Sequence, residues 1–319
     1  MSKMKRLLIG SCGGLTGIYL ARQYSRYSNL YLYGADSSTN SIGKYFVSKL
    51  LHVPVSQDIS FIPELIKILN DYKIDYYIPT HSKEIIEISK NEALIRSSSY
   101  TNFIVSPIRT YNALDQKDVA YKNMSKLGIY CPQIYKNEQD IHLPAFYKRK
   151  IGSGSKGTGI IYNIDEFKVI SETDNDLFVC QYLKGKEYTV DCLFDYNGNL
   201  LGYNQRRRVR SIGGAVSVTT NDNTIDILPT INRLSENFIF RGCINFQYIL
   251  VEGKPYIIDV NLRFASGGLP LSVKSGVNVP KAYLDLFENR TIKPCEFESD
   301  MKPRTMYRYF DEIYDDRSI

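Results

Sequence analysis

The chain has 319 residues, 43% of them hydrophobic, with 40 lysines and arginines against 34 aspartates and glutamates and a formal net charge of +6. That length calls for two or three compact units with sizeable cores, and no run reaches the roughly 18 apolar residues of a membrane helix. Both signs of charge are interspersed, so a solvated face or a pocket for small anions fits better than a nucleic-acid or membrane surface.

The first residues, Met1 to Cys12, resemble a lipoprotein signal: basic residues, then Leu7-Leu8-Ile9-Gly10-Ser11-Cys12. The apolar stretch is too short for that role and reads as a first core strand. The six cysteines (Cys12, Cys131, Cys180, Cys192, Cys243, Cys295) contain no CxxC pair, and His52, His81 and His142 are far apart. Neither a zinc site nor a disulfide framework fits these spacings. A reduced, cytoplasmic protein is expected, and any metal should be a hard cation on oxygen ligands.

In chain order, Arg6–Gly10 reads as a strand, followed by Gly13, Gly14, Gly17 and a helix to about Tyr27. Leu30–Tyr33 is a second strand ending near Asp36. Phe61–Lys73 has helical spacing, Tyr76–Pro79 is a strand, Lys83–Arg96 a helix, and Phe103–Val105 a fourth strand closed by Pro107. This alternation predicts a parallel sheet covered by helices. A helix over Asp115–Leu127 stops at Gly128. From Ala145 to Leu262 the pattern is mainly strands, with one helix near Ile225–Arg241; another follows over Val279–Glu288. The fold class is therefore α/β followed by α+β, with a boundary near residues 107–114.

Three segments carry chemistry. In Ile244-Asn245-Phe246-Gln247 and Tyr256-Ile257-Ile258-Asp259-Val260-Asn261-Leu262-Arg263, alternation puts Asp259, Asn261 and Arg263 on one face and Ile258, Val260 and Leu262 on the core face. A three-residue loop centred on Gly253 would set Gln247 opposite Asp259. Three oxygen-bearing side chains beside a guanidinium suit Mg²⁺ completed by water and phosphates. The run from Lys148 to Gly159, with Gly152, Ser153, Gly154 and Ser155 at its centre, can turn backbone N–H groups towards an anion. It is neither a Walker A loop nor a dinucleotide fingerprint. In Val179–Asp191 a linker joins two strands. Such a linker backbone can offer N–H and C=O groups to an adenine edge, and a nearby carboxylate can accept both ribose hydroxyls.

In this order the motifs resemble the ATP-grasp superfamily, in its carbamoyl-phosphate-synthase-like branch, over essentially the whole chain. The resemblance implies a Rossmann-like pre-ATP-grasp domain (1–108), then a two-lobed ATP-grasp fold: a small subdomain with the glycine-rich lid (109–185) and a large subdomain with the metal site (186–319). It implies phosphate contacts for Lys117 and Lys148, an adenine hinge at Gln181, Tyr182 and Leu183, ribose binding by Glu187, and a metal set of Gln247, Asp259 and Asn261. Arg263 would lie near the γ-phosphate and acyl phosphate. The ending Met306–Glu312 is also similar to small stand-alone members. Asp259 stands where the family has glutamate, Arg149 and Leu262 where it has proline, and Gln181 where it usually has glutamate.

The implied cofactors are ATP and Mg²⁺, with Mn²⁺ as a substitute. The implied activity is an ADP-forming ligation of a small-molecule carboxylate to an amine through an acyl phosphate, in a chain that could pair as a homodimer. A non-catalytic nucleotide-binding protein and a carbamoyl-phosphate-synthase-type phosphorylating subunit are the alternatives. The run Arg206-Arg207-Arg208-Val209-Arg210 offers guanidinium groups for carboxylate or phosphate capture. Either Arg206, Arg208 and Arg210 or Arg207 can face the site from one strand, and Arg208 and Arg210 are the pair expected there. The glycines at 10, 13, 14 and 17 with Asp36 also approach a dinucleotide fingerprint, but their spacing departs from it. They are expected to pack a helix on the sheet or to shape the acceptor pocket.

Overall fold

The structure, a computed structural model, describes residues 4–152, 154, 156–290, 292 and 303–315. Ser153, Ser155 and Cys295, named above, lie outside the described residues.

The first unit comprises β1 (Lys5–Ile9), α1 (Leu15–Tyr24), β2 (Leu30–Asp36), β3 (Lys49–His52), α2 (Phe61–Asp71), β4 (Tyr76–Ile78), α3 (Ser82–Lys90), α4 (Glu92–Ser98) and β5 (Asn102–Phe103). Its five strands are parallel in the order β3-β2-β1-β4-β5, the doubly wound arrangement that the alternation predicted. The expected helix over 83–96 is two, because Asn91 departs from helical geometry and turns its amide back onto the Glu87 carbonyl. The glycine turn after β1 packs α1 tightly: a Cβ on Gly17 would lie 2.6 Å from the Cα of Cys12. Asp36 accepts from the Gly13 amide (2.9 Å) and the Ser41 hydroxyl (3.0 Å).

Next come α5 (Ile108–Leu114), α6 (Lys117–Lys126), β6 (Ile134–Tyr135), β7 (Ala145–Arg149), β8 (Gly159–Ile161), α7 (Ile164–Thr173) and β9 (Leu177–Gln181). The antiparallel sheet β6-β9-β7-β8 buries Tyr135, Ala145, Ile161 and Val179 against Phe167 of α7. That helix, absent from the sequence reading, starts at an N-cap: Asn163 accepts the Glu166 amide, and the Glu166 carboxylate accepts from Tyr162 N–H just before it.

The last unit has β10 (Lys186–Phe194), β11 (Leu200–Ile212), β12 (Ala215–Asn221), α8 (Leu228–Asn237), β13 (Gly242–Val251), β14 (Lys254–Asn261), α9 (Leu269–Lys274), α10 (Val279–Phe287) and β15 (Thr305–Tyr307). Its six strands are antiparallel in the order β14-β13-β10-β11-β12-β15. The α8 helix is shorter than the expected 225–241, with Pro229 in its first turn. One face of the sheet is core, with Tyr188 and Tyr248 stacked at 4.8 Å. The other faces a cleft. Among the described residues no helix is long and apolar enough to cross a membrane.

Candidate active site

The cleft floor is built by strand alternation. On β10, Tyr188, Val190 and Cys192 are fully buried on the core side, so Glu187, Thr189 and Asp191 take the other face. Neighbouring strands continue these positions as cross-strand rungs. One rung runs Arg206–Thr189–Gln247–Asp259 and the next Asn204–Asp191–Asn245–Asn261. Adjacent rungs of polar side chains thus cross four strands about 4.8 Å apart.

The expected pairing of Gln247 with Asp259 is present, by a different route. The hairpin loop has two residues, since Val251 pairs with Lys254, and both Glu252 (φ 48°) and Gly253 (φ 76°) are left-handed, as a type I′ turn requires. Strict alternation from that loop would set Gln247 opposite Ile258. A β-bulge beyond Tyr248–Ile257 inserts the extra residue and restores the pairing. The bulge also corrects the expected facing of Ile258: Ile257 is fully buried in the core, and Ile258 lines the cleft.

The cleft has a volume of about 490 Å³. It is lined by Gln247, Asp259, Asn261 and Arg263, with Lys117, Lys148, Gly152 and Gly154 from the second unit. Gln181, Tyr182, Leu183, Glu187 and Arg208 line it too. Leu15, from the N-terminal glycine turn, completes the rim. Lys117 Nζ lies 3.3 Å from Asp259 Oδ1 and donates to the Gly152 carbonyl at 2.8 Å. Burial pushes the Asp259 carboxyl up, but Lys117 and Lys148 pull further, so it titrates below the ordinary aspartate value. Lys148, only 8% exposed, donates to the Ile258 carbonyl (2.8 Å) and to the Tyr121 hydroxyl. Burial brings its ammonium down to about 8.

Arg263 donates to Ser82 Oγ at 2.7 Å and to the Phe264 carbonyl at 3.0 Å, tying the segment after β14 to the start of α3. Glu187 Oε1 lies 2.7 Å from Arg208 Nε, whose N–H is not aimed at it. Arg208 Nη2 donates to the Gly214 carbonyl at 2.9 Å. Gly214 (φ 77°) in turn supports the lid: a Cβ there would lie 2.3 Å from the Cα of Gly154.

Arg210 does not join the cleft. A register shift between Arg208 and Arg210 breaks the alternation, leaving Arg210 exposed, with its Nε donating to Ser217 Oγ at 3.2 Å. Arg206 enters instead, 1% exposed, with Nε 3.0 Å from Asp191 Oδ2. The signal for it was available: Glu187, Thr189 and Asp191 form a polar face on β10, and the adjacent strand must meet a buried aspartate with a cation.

Gln247, Asp259 and Asn261 supply a carboxylate and two amides. Asn261 Nδ2 donates to Asp259 Oδ2 at 2.9 Å, which leaves the Asn261 carbonyl oxygen for a cation. Among the described residues no cluster of three or more His, Cys, Asp or Glu could hold a metal. This oxygen set therefore fits Mg²⁺ shared with phosphate and water rather than a metal caged by protein alone.

Several known proteins are similar. A family model described as "ATP-grasp in the biosynthetic pathway with Ter operon" matches residues 173–308. The carbamoyl phosphate synthase large chain of Thermoanaerobacter pseudethanolicus is 26% identical over 141 residues, 41% of this chain and 13% of that one. An uncharacterized protein of Methanocaldococcus jannaschii is 20% identical over 216 residues, 65% of this chain and 53% of its own length. The chain therefore spans from about an eighth to about half of these relatives. Among solved structures, N5-carboxyaminoimidazole synthetase from Staphylococcus aureus, complexed with ADP, superposes with a TM-score of 0.74 at 14% identity, covering 97% of this chain and 83% of that one. The chain has the ATP-grasp fold.

Two further solved structures share this fold. The biotin carboxylase domain dimer of Hydrogenobacter thermophilus 2-oxoglutarate carboxylase, with MgADP, ADP and bicarbonate, has a TM-score of 0.72 at 14% identity, covering 94% of this chain and 73% of that one. L-amino acid ligase from Bacillus licheniformis has a TM-score of 0.71 at 16% identity, covering 96% and 79%. In the ATP-grasp frame, the floor described here belongs to the six-stranded sheet and the lid to the four-stranded one. The Arg263–Ser82 hydrogen bond brings the N-terminal unit to the cleft's edge.

Proposed function

We propose that the chain is an ADP-forming ligase that activates a carboxylate with ATP and joins it to an amine. The observation that carries this reading is the convergence of Lys117, Lys148, Gln247, Asp259, Asn261 and Arg263 on one end of a single cleft, with Glu187 and the 181–183 linker beside it. Gln247, Asp259 and Asn261 would hold Mg²⁺, which supplies charge neutralisation on the ATP phosphates when bound. Lys117, Lys148 and the lid amides hold the triphosphate, and Glu187 accepts the ribose hydroxyls. A substrate carboxylate oxygen attacks the γ-phosphorus. The bond to the β-phosphate oxygen breaks, and ADP leaves, with Arg263 stabilising the transferring group. The amine nitrogen then attacks the acyl carbon, the bond to phosphate breaks, and the amine proton departs with the phosphate. The lid excludes water that would otherwise hydrolyse the acyl phosphate. The domain limits 1–108, 109–185 and 186–319 belong to the same reading.

A coupled ADP-release screen over paired carboxylates and amines, with product masses recorded, tests it. One pair that yields ADP and a product lighter by water than the sum of the two supports the ligase. A screen in which no carboxylate stimulates ADP release, although ATP binds, would favour a non-catalytic nucleotide-binding protein.

A further inference from the structure

The rung that contains Gln247 and Asp259 carries more hydrogen-bonding capacity than the chain itself uses. Arg206 and Thr189 are each 1% exposed and both line the cleft. Among the described residues, Arg206 Nη1 and Thr189 Oγ1 have no hydrogen-bond partner, and neither has Asp191 Oδ1 on the next rung. A buried guanidinium N–H and a buried hydroxyl left unpaired both cost free energy. Two such atoms on directly paired residues mark a place that a bound polar group completes.

The guanidinium is also fixed in place. Asp191, fully buried, holds Nε at 3.0 Å and is itself held by the Ser272 hydroxyl. Above, the chain passes over the guanidinium at Gly268, where a Cβ would lie 1.9 Å from Cζ and 2.1 Å from Nη1. Only a glycine fits between this loop and Arg206. The cleft around it carries seven basic side chains against two acidic ones, so an anion is the favoured occupant.

We propose that Arg206 and Thr189 form the subsite that receives the carboxylate of the acid substrate. The proposal rests on the ligase reading above and gives that substrate a seat. One edge of the guanidinium is engaged by Asp191. The free Nη1 and the Thr189 hydroxyl each donate to one carboxylate oxygen, a planar match that charge-assisted hydrogen bonds make strong. Asp191 is the positioning residue: it sets the guanidinium plane and touches no substrate.

The test uses the full chain saturated with MgADP, with thermal stability followed against sodium acetate, sodium succinate, inorganic phosphate and, at matched ionic strength, sodium chloride. The wild type should be stabilised saturably by the carboxylates beyond chloride. Thr189→Val, which keeps the shape and removes the hydroxyl, should raise the half-saturating carboxylate concentration by about tenfold. Arg206→Gln combined with Asp191→Asn, which leaves no unpaired buried charge, should abolish the response. Thr189→Val carries the test if that double variant does not fold. A wild-type response no larger than that to chloride, or one that survives in the variants, overturns the proposal. A stronger, Arg206-dependent response to phosphate assigns the seat to a phosphoryl group and overturns the carboxylate. Failure of MgADP itself to stabilise the wild type would instead sink the ligase reading on which the subsite depends.

Discussion

Replacing Lys148 by methionine should make the protein more stable and its nucleotide binding weaker. The ammonium is 8% exposed and is brought by burial from 10.5 to about 8. A shift of that size means the charged form costs the fold about 3 kcal/mol relative to the unfolded chain. Methionine removes this cost but forfeits the hydrogen bonds to the Ile258 carbonyl and the Tyr121 hydroxyl, about 1 kcal/mol together or somewhat more. The expected net gain near neutral pH is about 1–2 kcal/mol. For a base whose folded pKa lies below its unfolded value, the unfolded chain binds more protons between the two, so wild-type stability rises with pH through that window. The advantage of Lys148→Met should therefore shrink between about pH 8 and 10.5 and reverse above it. Urea unfolding of both proteins across this range reads the difference directly. Calorimetry with MgADP at about pH 7 should show at least tenfold weaker binding in the variant, the scale of one charge-assisted phosphate contact. A variant less stable than wild type near neutral pH, or a stability difference that does not change with pH, would refute the reasoning.

Three other perturbations probe separate parts of the cleft. Glu187→Ala should erase the preference for ATP over 2′-deoxy-ATP, measured as a ratio of Kd values and expected to be about tenfold in the wild type. Gly214→Ala introduces a Cβ 2.3 Å from the Cα of Gly154 on a left-handed residue. It should raise KM for ATP several-fold by unseating the lid, and it should increase proteolysis near residue 154. Arg210→Ala should leave ADP release within about twofold of wild type, since this exposed arginine lies outside the cleft and surface substitutions of that kind are usually mild.

Much of the fold and the site was legible because both rest on periodicity. The βα alternation of the first hundred residues gives the parallel sheet, and the polar face of residues 259–263 gives one side of the cleft. What escaped depends on register irregularities that carry no strong residue signature. The bulge at Ile258 and the shorter Glu252-Gly253 turn offset one another, so the Gln247–Asp259 pairing was anticipated with the wrong loop. The shift between Arg208 and Arg210 had no compensating partner, and it took Arg210 out of the cleft, while Arg206, before the shift, stays on the Arg208 face. The edge strand β3 buries only Leu51 fully, too little apolar patterning to stand out. The α7 helix is mostly polar and solvent-facing, with Phe167 as its one buried residue. Its Asn163 N-cap, followed by Asp165 and Glu166 in the first turn, was the readable clue.

The nucleotide and its metal should meet at Asp259, and calorimetric titration of ADP with and without Mg²⁺, in wild type and Asp259→Asn, tests that most directly. Tight binding that requires Mg²⁺ in the wild type, with the Mg²⁺ dependence lost in the variant, is the expected result. Wild-type binding indifferent to Mg²⁺, or a variant that keeps the full metal dependence, would contradict it.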